Sequence, residues 1–162
     1  VQTGGNLALT NQGETQLTLP QLGGNLTLQS GGRVTQGGAW LVNGSAQVTA
    51  VGSNMMLNNA GNLIKGPVTL SGSNVSLALA GDGVLGTLNV DSLIFFAQGK
   101  IQLGGGQVNN SLNLLARGSS ITQTAGSVLT VNGLTTLNTG VPRSTCSPGC
   151  KVMRVTMPSI GA

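Results

Sequence analysis

The chain has 162 residues, enough for one domain with a sizeable core, yet only 6 % are charged and 2 % aromatic, and 27 are glycine. An apolar fraction of 39 % and a mean hydropathy of +0.23 exclude the disordered class, and the longest apolar run, Leu93–Ala97, is far too short to span a bilayer. The net charge of +4 resides mainly in the tail, since residues 1–140 sum to +1, so the body lacks the basic stripe with interleaved aromatics that nucleic-acid binding needs.

In chain order, short runs with period-2 alternation recur between Gly or Asn punctuation. The first are Asn6–Thr10, Gln16–Leu19, Asn25–Gln29, Ala46–Ala50 and Val68–Ser71. Asn74–Leu79, Lys100–Leu103, Ser120–Gln123 and Leu134–Asn138 follow. In NLTL and NVSL the Leu and Val positions point to one side and Thr and Ser to the other. No apolar stripe of helical period is present, and glycine falls about every six residues.

The runs also repeat in wording. GGNL occurs at Gly4–Leu7 and again at Gly23–Leu26, nineteen residues on. Residues 34–52, VTQGGAWLVNGSAQVTAVG, share their skeleton with residues 121–140, ITQTAGSVLTVNGLTTLNTG. Repetition at about 20 residues predicts a solenoid, in which every coil meets the same packing problem. The expected fold class is therefore all-β, a parallel β-helix over residues 1–140. An antiparallel sandwich also uses short strands but has no need to repeat its wording. Seven coils at about 4.8 Å each would make a rod of about 30–35 Å.

The composition suits such a stack. Like residues fall above one another, so Leu, Val and Ile form interior columns, while stacked charges would repel and are rare. Gly and Asn are expected at corners that need left-handed backbone, with Asn amides stacking from coil to coil. Leu93–Ala97 (LIFFA) and Trp40 read as a thicker part of the core rather than as an exposed docking patch.

Chemistry-bearing residues are few. Catalysis by paired carboxylates, as in polysaccharide-cleaving β-helices, would rest on Glu14, Asp82 and Asp91 with neither His nor Tyr. Asp82 and Asp91 lie about half a coil apart, on different faces, so we expect solvated surface groups and no enzyme, cofactor or metal site. The triplets beginning at Asn25, Asn43, Asn74 and Asn109 fit the N-glycosylation pattern, which a chain of this composition also produces by chance. Gly104–Gly106 lacks the Gly-Lys-Ser/Thr of a phosphate loop and reads as a turn.

Five strings carry a family resemblance: NNAG at Asn58–Gly61, GPVTL at Gly66–Leu70, SGSNVSL at Ser71–Leu77, LGTLNV at Leu85–Val90, and ITQ…LTVNG over residues 121–133. Together they resemble the repeats of filamentous-haemagglutinin-like exoproteins of the two-partner secretion type. The resemblance implies a right-handed β-helical shaft, exported through an outer-membrane partner transporter to the bacterial cell surface or beyond. It implies adhesion to a cell-surface glycan or protein, or biofilm cohesion. An alternative role is a filament or matrix subunit that stacks end to end through open coil ends.

Residues 141–162 leave the repeat. Pro142, Pro148 and Pro158 argue against a continuing ladder. Cys146 and Cys150 flank a Ser-Pro-Gly turn, and we expect them to form a disulfide closing this tail in an oxidising compartment. Too few further ligands exist for zinc, and the spacing differs from the redox C-x-x-C. Arg143, Lys151 and Arg154 read as a soluble end cap, or as contacts to an anionic surface such as lipopolysaccharide.

Overall fold

The computed structural model describes residues 4–19, 21–117 and 120–139, and the backbone of Val155–Thr156. Among these residues the chain is all-β and without helix, a β-solenoid of about 7 turns in which every strand pairing is parallel. The antiparallel alternative is thereby excluded.

Each coil visits three faces. Coil 1 comprises β1 (Leu7–Asn11), β2 (Thr15–Leu17) and a lone bridge at Leu22. Coil 2 comprises β3 (Leu26–Ser30), β4 (Val34–Gln36) and β5 (Leu41–Val42). Coil 3 comprises β6 (Ala46–Ala50), β7 (Met55–Leu57) and β8 (Leu63–Ile64). From there the strands lengthen. β9 (Val68–Leu79), β10 (Gly83–Ala97) and β12 (Gly106–Ala116) each pass round a corner, and β11 (Ile101–Leu103) and β13 (Ile121–Gln123) supply the third face. Coil 7 holds β14 (Leu129–Val131) and β15 (Thr135–Asn138). In the tail, β16 (Val155–Thr156) pairs with β14, so the first ladder continues onto the segment where the prolines led us to expect none.

The registers measure the coil. Leu7 faces Leu26, Leu26 faces Ala46 and Ala46 faces Val68, steps near the expected 20; Leu70 faces Leu88 only eighteen residues on. Interior columns follow the same registers. On the second face Val34, Met55, Val75, Leu93 and Leu112 stack, all essentially inaccessible to solvent. Beside them run Leu57, Leu77, Phe95 and Leu114. Each fully buried side chain of this size contributes about 1.5–3 kcal/mol relative to exposure, and these columns are the hydrophobic core.

Three expectations are corrected. Leu93–Ala97 is not buried on both sides: Leu93, Phe95 and Ala97 point inward, while Ile94 is 57 % exposed and Phe96 is half-buried beneath the Arg117 guanidinium, 5.5 Å from its ring. Trp40, by contrast, is in the core. Second, left-handed corners are few. Among the described glycines only Gly52, Gly106 and Gly126 have positive φ. Most corner glycines are needed for close approach instead. Gly5, Gly24, Gly44 and Gly66 form a column in which each amide donates to the glycine carbonyl one coil earlier, at 3.0–3.1 Å, and a Cβ at Gly44 would stand 2.8 Å from the Gly24 oxygen.

The third correction concerns the repeated wording. GGNL recurs in equivalent places, but the longer copy does not. Val34–Gln36 lies on the second face as β4, whereas its counterpart Ile121–Gln123 lies on the third as β13. Leu41–Val42 is on the third face and its counterpart Leu129–Val131 on the first. The two copies are offset by one face, because every face asks for the same inward apolar pair followed by a tight corner.

Candidate functional site

The outer surfaces of the first two faces differ, and the difference locates a site. Outside the first face, one register column reads Thr10, Gln29, Thr49, Ser71, Asn89, Gln107 and Thr130, uncharged and polar at every rung. The corresponding column outside the second face reads Gln16, Thr35, Met56, Ser76, Ile94, Asn113 and Thr136. Here the polar run is broken by Met56, 47 % exposed, and Ile94. The strand pleat turns both outward, because Met55, Leu57, Leu93 and Phe95 take the interior positions.

Ser76 lies between Met56 and Ile94, and its short side chain leaves a notch between two taller apolar ones. The notch opens onto the corner where each coil enters the second face. Along that corner successive coils pair their side chains two by two. Arg33 lies 3.6 Å from Glu14, Asn74 donates its amide to Asn54 Oδ1 at 3.2 Å, and Ser111 donates its hydroxyl to Ser92 at 3.1 Å. Together, notch and corner form an open groove of about 560 Å³ reaching from Arg33 to Ser111. Its lining carries one charge, Arg33, already facing Glu14.

A smaller polar hollow of about 260 Å³ lies on the other side of the same corner, between Val51–Gly52 and the Asp91–Asn109 pair. Val51 is 67 % exposed because coil 3 spends extra residues on this corner.

The acidic residues expected on the surface are all engaged with the next coil. Asp82 accepts the Lys100 amide at 2.8 Å at the entry to the third face, and Asp91 accepts the Asn109 side chain at 3.0 Å at the corner between the first two. Glu14 meets Arg33. Among the described residues no group of three or more His, Cys, Asp or Glu is gathered as a metal would require. Asn25, Asn43, Asn74 and Asn109 are exposed, but Asn74 and Asn109 already donate their amide nitrogens along the stack, and Asn25 uses its oxygen to accept the Ser45 amide at 2.9 Å. Gly104–Gly106 is a corner leading into β12, where a Cβ on Gly106 would collide with the Leu88 backbone. Cys146, Cys150, Arg143, Lys151 and Arg154 lie outside the described residues.

Sequence reasoning missed a buried polar hub. Asn62, wholly inaccessible, accepts from Gln36 Nε2 at 2.7 Å and from the Trp40 amide at 2.8 Å. Its own nitrogen donates to Gln36 Oε1, Leu57 O and Ala78 O at 3.0–3.1 Å, tying three coils together. The only available signal was a Gln in VTQ at a position the alternation assigns to the interior.

No curated protein and no solved structure matches the chain. A family model described as repeats of unknown function (DUF5649) matches residues 4–71 and 91–141. The matched segments cover most of the solenoid, and the chain belongs to this DUF5649 repeat family.

Proposed function

We propose that the chain is a structural shaft segment of an exported bacterial cell-surface adhesin, mediating adhesion or biofilm cohesion without catalysis. In this reading the solenoid winds right-handed, as in the filamentous-haemagglutinin-like repeats its wording resembles. Its export uses an outer-membrane two-partner transporter, and residues 141–162 form a basic tail closed by Cys146–Cys150. The observation that carries the reading is the unbroken first-face ladder, eight strands from β1 to β16, with an uncharged outer column from Thr10 to Thr130. In such a stack each coil is paired to its neighbours along the whole axis, which suits a displayed spacer.

Protease shaving and immunogold labelling of intact producing cells test this. Surface-labelled, protease-sensitive material is the expected outcome; chain protected inside unbroken cells would overturn the reading. Non-reducing mass spectrometry should find Cys146 and Cys150 two hydrogens lighter than free thiols.

A second reading is a filament or matrix subunit that assembles end to end. Among the described residues the interior columns end at half-buried Leu7, Leu9 and Leu17 on one side and at Leu137, 43 % exposed, on the other. Continuous fibres in electron micrographs of purified chain would select this filament role over the single shaft.

A further inference from the structure

We propose that the groove outside the second face binds a neutral, extended polysaccharide lying along the solenoid axis. This names a ligand class for the adhesive reading above and rests on it for its biological setting. Three features of the groove select the ligand.

Direction comes first. The corner pairs Asn54–Asn74 and Ser92–Ser111 stand on successive rungs, so donors and acceptors recur about every 4.8 Å along the axis. A ligand that meets them in turn must itself be a repeating, extended chain.

The second feature is chemistry. Met56 and Ile94 stand two rungs apart, about 10 Å, with Ser76 between. That notch offers apolar contact on both sides of one ring-sized group and a hydroxyl at its base. Sugar rings have this mixed character, with apolar C–H faces and a hydroxyl rim. The amides of Asn54 and Asn74 and the hydroxyls of Ser92 and Ser111 can address the rim. A peptide strand fits poorly, since the backbone groups of this face are taken up by the ladders and leave no edge for strand addition. Two apolar side chains parted by Ser76 also fall short of the continuous patch a stable protein interface needs.

Charge is the third. An acidic polysaccharide would call for several free cations, but the groove holds only Arg33, opposite Glu14 at 3.6 Å, and Arg117 lies over Phe96. The uncharged lining complements an uncharged ligand.

The test is biolayer interferometry of the purified full chain on immobilised linear β-1,4-glucan, β-1,4-mannan and β-1,4-xylan, with alginate as the acidic comparison. We expect saturable binding to at least one neutral polymer, unchanged by added salt. Ile94→Asp and Ser76→Trp, both on the outer surface, should each weaken it roughly tenfold or more. Gln29→Trp, outside the first face, should leave it intact. Absence of binding to all three neutral polymers would overturn the proposal, as would equal binding by Ile94→Asp and Ser76→Trp. Binding confined to alginate and lost in salt would also overturn it. Polymer binding is read on purified chain and display on cells, so either proposal can fail alone.

Discussion

Coils 1–3 and coils 4–6 solve the same problem in different ways. Every corner takes backbone N–H and C=O groups out of straight ladders, and those left buried must find partners. In the first three coils the strands are short, between two and five residues, and side chains fill the gaps. Ser30 donates to the Gly13 carbonyl at 2.8 Å and meets the Thr15 hydroxyl at 2.9 Å, and Asn62 serves the later corner. In coils 4–6 the backbone ladder itself continues round the corner within β9, β10 and β12, at the cost of register shifts near Leu85/Leu88 and Val90/Ser92. The contrast teaches that a solenoid can hold its corners by specific side chains or by ladder continuity, and that the two halves should fail differently.

The largest expected effect lies in the continuous half. Phe95→Ala empties the column between Leu77 and Leu114 and should destabilise by about 3–5 kcal/mol, measured by urea unfolding. A loss under about 1 kcal/mol would show that ladder continuity, not the apolar column, holds coils 4–6. In the side-chain half, Asn62→Ala strips partners from Gln36, Trp40 N, Leu57 O and Ala78 O at once. A cost of about 2–4 kcal/mol is expected, because several buried groups lose their partner together. Hydrogen exchange should then quicken in coils 2–4 and stay unchanged in coil 6. Uniform quickening would erase the distinction between the halves.

Gly44→Ala forces a methyl against the Gly24 backbone and should cost about 1–3 kcal/mol, while Gly38→Ala, with nothing within 4 Å, should be near neutral in the same melt. Smallest of all, Arg117→Gln removes a cation from the Phe96 ring and should cost under about 1 kcal/mol. Its effect should shrink further in high salt.

Some of this was legible beforehand. Strand β6 coincides with the Ala46–Ala50 alternation, and the GGNL spacing gave the first coil step, Leu7 to Leu26. Alternation reports burial directly, and a repeat reports stacking, so both survive without coordinates. Corners were less legible. Glycines there look alike whether they supply positive φ, as Gly106 does, or close approach, as Gly44 does. The long strands were read as separate pieces, because Gly72 and Asn74 punctuate β9 without ending it. LIFFA misled because five apolar residues in a row conceal which of them face out. The groove was invisible for a related reason: Met56, Ser76 and Ile94 are adjacent only once the coil steps are known, and those steps are unequal.

The one-face offset between residues 34–52 and 121–140 bears on how such chains can change over time. A segment of strand plus corner works on whichever side of the prism it lands. The cassette that recombination can move is therefore about a third of a turn, not a whole one. Slippage by a single cassette would rotate everything downstream relative to everything upstream while leaving the interior intact. A lineage could thus re-aim the notch of Met56 and Ile94 around the axis without redesigning a single core position.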